Sequence, residues 1–109
     1  MLSGRVATLM EYDAIMIKAE DNVATALGVL AQSREYRVAA GDASLKIKMK
    51  EPIAFGHKFA VVDINEGEDI IKYGEVIGRA TAPILKGAHA HVQNIESLRG
   101  RGDLVKKGA

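Results

Sequence analysis

The sequence predicts a single, mainly β domain of short strands with little helix, arranged as a compact barrel or clip-like fold. Three observations carry that prediction. Apolar residues recur in short runs, several with a period of two, as strands with one buried face require. Turn-forming clusters, among them "EDN", "GDA", "NEGED" and "KYG", separate the runs. The runs follow one another too closely for crossover helices, which argues against βαβ units.

Taken in order, residues 1–12 read as an N-terminal extension and residues 13–86 as the β domain. Strands are expected at Ala14–Ala19, Val23–Leu30, Tyr36–Ala40, Ser44–Lys50, Lys58–Ile64 and Glu75–Ala80. The second, "VATALGVL", contains good helix formers, but Gly28 interrupts it and Val23 and Thr25 favour extended backbone. "SLKIKMK" alternates strictly, with Leu45, Ile47 and Met49 on one face and Lys46, Lys48 and Lys50 on the other. The lysine face reads first as solvated surface, and second as a basic strip for an anionic substrate or an acidic partner. Gly67, Gly74 and Gly78 mark tight turns or close backbone approach. Past Lys86 the apolar alternation fades, and residues 87–109 read as a histidine-containing loop followed by a basic, glycine-punctuated tail. No internal repeat is apparent.

Bulk composition narrows the function. A net charge of +1 gives no global field toward nucleic acid or a membrane, and the absence of Trp leaves little for base stacking. With no cysteine, disulfides, thiolate nucleophiles and zinc–thiolate sites are excluded. Glu11 and Asp13 interrupt the N-terminal stretch, so no signal peptide is read there, and no apolar run approaches the roughly 20 residues that cross a bilayer. A cytoplasmic protein is expected.

The chemistry-bearing residues are the three histidines. His89 and His91, in "GAHAHVQN", are two apart, which places both rings on one side of an extended segment. Two imidazoles so placed can grip one divalent metal, with a third ligand from elsewhere, such as a carboxylate, water or substrate. The same spacing also suits two surface histidines in a loop. His57 and Lys58, in "FGHK", put a titratable ring and an ammonium at the mouth of a strand, where sites are often built. The tripeptide Arg101–Asp103 reads "RGD", but three residues carry little information. No phosphate loop, dinucleotide fingerprint or Ser-His-Asp pattern is present.

These segments together resemble the SAF-type (β-clip) domain of altronate and galactarate dehydratases, which also occurs as the separate small subunit of related lyases, including sulfolactate sulfo-lyase. The resemblance runs from about Asp13 to Leu104 and is carried by "GHK" (Gly56–Lys58), "KYGEVIG" (Lys72–Gly78), "GAHAHVQN" and the following "RGRGDL". The family's motif reads Gly-x-His-Val-His-x-His-Asn. Gly87, His89, His91 and Asn94 match it, and Gln93 stands where a third histidine is common. Glutamine is a weak metal ligand beside imidazole.

The resemblance implies a β-clip fold and a role as small subunit of a two-chain, metal-dependent dehydratase that removes water from a sugar acid such as altronate or galactarate. The implied cofactor is a divalent metal, iron(II) in the first instance, shared with a separately encoded large catalytic subunit. In the fused enzymes that catalytic domain follows the SAF domain, at about the point where this chain ends. His89 and His91 are then the expected metal ligands, and His57 and Lys58 the expected catalytic pair. Gln93, Asn94, Arg99 and Arg101 are the expected substrate contacts. A homo-oligomer is left open, and neither nucleic acid nor membrane is an expected partner. SAF domains elsewhere bind carbohydrate, ice or protein without catalysis, so a carbohydrate-binding or subunit-stabilising module is the competing reading.

Overall fold

A computed structural model of the chain describes residues 12–97. Nine strands lie in this span: β1 (Ala14–Met16), β2 (Val23–Ala26), β3 (Glu35–Ala40), β4 (Ala43–Lys48), β5 (Lys58–Ala60), β6 (Asp69–Lys72), β7 (Glu75–Ala80), β8 (His89–Ala90) and β9 (Ile95–Ser97). They form a six-stranded sheet in the order β4-β3-β1-β2-β5-β8 and a three-stranded sheet in the order β6-β7-β9. Neighbours are antiparallel except β1 and β3. The described residues contain no helix, so none that could cross a membrane. The expected mainly β architecture is what the chain adopts.

The strands are shorter than the apolar runs suggested because the chain turns corners between them. One corner recurs four times, although no repeat shows in the sequence. It begins at Leu30, Ile53, Ile64 and Ile84, each at most 2% exposed. These residues pair across the fold as isolated bridges, Leu30 with Ile53 and Ile64 with Ile84. Each is followed by a β-turn closed by a backbone bond: Arg34 N to Ala31 O, His57 N to Ala54 O, Glu68 N to Asn65 O, and Ala88 N to Leu85 O. The third turn residue has positive φ each time, at Ser33 (71°), Gly56 (81°), Gly67 (90°) and Gly87 (88°). A type II turn demands this, and glycine meets the demand without a Cβ clash. The same four residues donate their N–H groups to distant carbonyls, Ser33 to Met49, Gly56 to Ala26, Gly67 to Ala80 and Gly87 to Ala60.

Two apolar clusters fill the interior. One centres on Phe59, Leu30, Ile47, Met49 and Ile53, and the other on Ile64, Ile70, Ile84, Ala80 and Val23. β2 and β5 divide their residues between both clusters. The sheets are joined at Asp21 and Asn22. Asp21, 4% exposed, accepts hydrogen bonds at Oδ2 from Ile17 N and Lys18 N and at Oδ1 from Gly74 N. Asn22 exchanges bonds with β6: Ile71 N donates to its Oδ1 at 2.7 Å and its Nδ2 donates to Asp69 O at 2.9 Å.

Three strands were not foreseen. β6 pairs with β7 through the two-residue turn Tyr73–Gly74, both at positive φ (55° and 80°), the conformation that closes a tight hairpin. β8 pairs with β5, and β9 with β7. In β9, Glu96 and Ser97 sit opposite Arg79 and Gly78, although the polar run that begins at Glu96 read as tail. Gly78 makes this pairing feasible, because a Cβ there would lie 2.5 Å from Glu96 O.

Candidate metal centre and its pocket

The β5–β8 pairing assembles the site. Its register sets Lys58 opposite Ala90 and Phe59 opposite His89. Phe59 and Ala90 are fully buried, which anchors both strands in the interior. His57 leads into β5 directly from one corner, and His89 begins β8 two residues after Gly87 of another. Paired strands thus bring His57 against the His89–His91 segment from 32 residues away in sequence.

The three rings stack. Their centroids are 4.3 Å apart for His57 and His91, 5.1 Å for His57 and His89, and 5.4 Å for His89 and His91. One nitrogen of each lies within 4.8 Å of the others, and all three residues are half-buried. His57 Nδ1 and His89 Nε2 are 2.9 Å apart. Metal–imidazole bonds of about 2.0–2.1 Å at octahedral or tetrahedral angles would set neighbouring nitrogens roughly 2.8–3.4 Å apart. The His57–His89 pair already has that spacing, and the remaining separations, all within 4.8 Å, need only narrow. His91 Nδ1 is buried without a hydrogen-bond partner, a cost that a ligand would relieve. An all-imidazole donor set suits a first-row transition ion better than Mg²⁺ or Ca²⁺. The residues therefore fit the divalent metal that the resemblance implies.

The surroundings of His89 and His91 favour their uncharged rings. Burial, then the neighbouring His57, lowers the pKa of His89, with Glu51 partly opposing and Lys58 adding to the shift. Burial also lowers that of His91, helped by Lys58, His57 and His89. Lys58 is pushed down by burial and by the charge of Lys72. Neutral imidazole is the form that binds metal.

A pocket of about 440 Å³ adjoins the cluster. Val76, Ile77, Val92 and Ile95 supply its apolar wall, and Lys58, Glu75, His91 and Ser97 its polar groups. Val92 is 81% exposed although it follows His91, so the rim is open.

The other expected residues are placed as follows. Asn94 closes the turn after β8: its Oδ1 accepts from His91 N and its Nδ2 donates to His89 O, both at 2.9 Å. Gln93, exposed, directs its Nε2 at His89 Nδ1 at 3.0 Å. Arg99 and Arg101 lie outside the described residues. Lys46, Lys48 and Lys50 are exposed, the first two on β4, an edge of the larger sheet, and none lines the pocket. Sequence spacing had grouped only His89 and His91 as ligands and left the third open. The structure brings His57 to them. The pocket wall formed by Val76, Ile77 and Ile95 carried no sequence signal, because it depends on the unforeseen β9.

Comparison with known proteins identifies the family. The family model of the altronate/galactarate dehydratase SAF domain matches residues 12–98. The chain is 44% identical over 85 residues to altronate dehydratase of Escherichia coli, covering 78% of this chain but 16% of that protein. It is 40% identical over 83 residues to altronate dehydratase of Bacillus subtilis, with 76% and 16% covered. It is 37% identical over 93 residues to the (2R)-sulfolactate sulfo-lyase subunit alpha of Chromohalobacter salexigens, covering 83% of this chain and 99% of that subunit. The chain thus spans about a sixth of the altronate dehydratases and nearly all of the sulfo-lyase subunit.

Proposed function

The chain belongs to the altronate/galactarate dehydratase SAF domain family, and from that membership we propose that it is the small subunit of a two-chain lyase. The proposed reaction is metal-dependent removal of water from a sugar acid such as altronate or galactarate, in a site shared with a large catalytic subunit. The match to a subunit alpha over almost that subunit's whole length supports the two-chain arrangement. The observation that carries the site assignment is the convergence of His57, His89 and His91 beside an open pocket.

His57, His89 and His91 would hold the ion, iron(II) in the first instance. When bound, it would supply positive charge for the enediolate oxygens that form on loss of the proton next to a carboxylate. Beside the large subunit's contribution, this chain's own residues position and bind. Asn94 ties the backbone of His89 and His91 together and so fixes where the two rings point. Lys58 shares the pocket with His91. Burial, then the charge of Lys72, lowers its pKa from the usual ammonium value, which eases exchange of a proton at Nζ. When charged, Lys58 is suited to bind the substrate carboxylate. The apolar wall keeps water from the faces of a bound substrate. Gln93, with Arg99 and Arg101, completes the proposed substrate contacts.

A second reading is favoured by the sulfo-lyase match: elimination of a sulfonate group in place of a hydroxyl. Both eliminations begin at a C–H beside a carboxylate, so the same residues serve either. The test is to reconstitute the chain with its large subunit and assay a panel of sugar acids and sulfolactate. Turnover should fall at least about 100-fold in His89→Ala and His91→Ala. Unchanged turnover in both would remove the histidines from the site and leave a subunit-stabilising role.

A further inference from the structure

We propose that Gln93 is a positioning residue for His89. Its side-chain amide selects which ring nitrogen carries the proton, and thereby whether Nε2 is open to a metal ion. The proposal rests on the reading of the three histidines as a metal centre.

A neutral imidazole has one donor and one acceptor nitrogen. Gln93 Nε2 lies 3.0 Å from His89 Nδ1, and an amide nitrogen only donates, so Nδ1 accepts. The ring proton of His89 is then on Nε2. From there it is donated to His57 Nδ1 at 2.9 Å, and His57 carries its own proton on Nε2. One proton thus occupies the space between two of the nitrogens that converge.

A cation in that space needs a bare lone pair on each ligand nitrogen. His57 Nδ1 already has one. His89 Nε2 acquires one only if its proton moves to Nδ1, and that N–H then needs an acceptor. Metal-bound histidines nearly always donate their second N–H to such a partner. Gln93 can provide it by a half-turn of its amide, which brings Oε1 to the place of Nε2. Two features make this workable. The backbone from His89 to Asn94 is fixed by the Asn94 amide and by the bond from Asn94 N to His91 O, so Gln93 stays opposite the ring. Its side chain is exposed, and the turn gives up only one further bond, the long 3.4 Å donation from Nε2 to His89 O. Glutamine serves both protonation patterns. A carboxylate would only accept and would hold the proton on Nδ1 in advance, whereas an aliphatic side chain would do neither.

The test uses the intact chain at neutral pH, Zn²⁺ as probe, and two variants at an exposed position. Long-range ¹H–¹⁵N spectra report the tautomer of His89, and calorimetric titration reports Zn²⁺ affinity. Metal-free wild type should carry the His89 proton on Nε2 and the Zn²⁺ form on Nδ1. Gln93→Glu should show Nδ1–H before metal is added and bind Zn²⁺ at least as tightly as wild type. Gln93→Leu should lose the Nε2–H preference and bind about tenfold more weakly or worse. If wild type binds Zn²⁺ but Gln93→Leu matches it in affinity and tautomer, the positioning role is overturned and the metal centre stands. If wild type binds no Zn²⁺, the metal centre itself is overturned, and this proposal with it.

Discussion

The four corners of the fold divide into two that deliver histidine, at His57 and at His89 just past Ala88, and two that do not. Leu30–Arg34 and Ile64–Glu68 have the same turn, the same left-handed third residue and the same buried first residue as Ile53–His57 and Ile84–Ala88. The bare corners feed β3 and β6, which lie in different sheets. The other two feed β5 and β8, which pair with each other. Local backbone geometry is therefore common to all four, and the site arises from which strands the corners deliver side by side. The scaffold fixes the direction of the chain four times, and chemistry appears only where two outgoing strands meet.

The corners should differ most at Gly87. With φ at 88° and a Cβ that would clash with Lys48 O, Gly87→Ala should cost more than about 4 kcal/mol, read by chemical denaturation. The equivalent change at Gly56 meets open space. Gly56→Ala should cost only about 1–2 kcal/mol, the left-handed penalty alone, and leave metal binding intact. Equal losses at the two corners would mean that close approach at Gly87 is unimportant.

Asp21 joins the sheet that holds the site to the hairpin of β6 and β7. Burial alone would raise its pKa, but the backbone N–H groups of Lys18, Gly74, Ile17 and Tyr73 outweigh burial, and the net shift is downward. The carboxylate therefore stabilises the fold fully above its unfolded value, near pH 4, and this contribution is lost as pH falls through the lower folded value. Asp21→Asn should lower stability by about 2 kcal/mol at pH 7. It should also flatten the acid limb of a plot of urea midpoint against pH. An unchanged acid limb would place that dependence elsewhere.

The smallest effect is expected at Ser33, the one corner without glycine. Its φ of 71° strains an L-residue, so Ser33→Gly should raise stability by about 0.5 kcal/mol, the left-handed penalty less the entropy that glycine loses on folding. A loss of stability would show that the serine side chain contributes more than its backbone conformation costs.

Much of the fold could be read from residue order. The alternation in "SLKIKMK" located β4, and Val23 and Thr25 decided strand over helix for β2. β6 escaped because Asp69–Lys72 has only two apolar residues, although "KYGE" carries a two-residue hairpin signal that would have found it. β8 and β9 escaped because they are two and three residues long and owe their extension to partners elsewhere in the chain. The corner repeat was hidden because its only shared features are one aliphatic residue and one left-handed residue, and Ser33 breaks the glycine pattern. The site was half legible. His-x-His spacing grouped His89 with His91, and loop position marked His57. No local pattern could join them, since their proximity is a fact of strand pairing across 32 residues.

The convergence of the three rings on one ion is tested most directly by X-ray absorption on the chain loaded with one equivalent of Zn²⁺. Three imidazole nitrogens in the first coordination sphere, falling to two in His57→Ala, are expected. A spectrum with one imidazole or none, or one unaffected by His57→Ala, would contradict it.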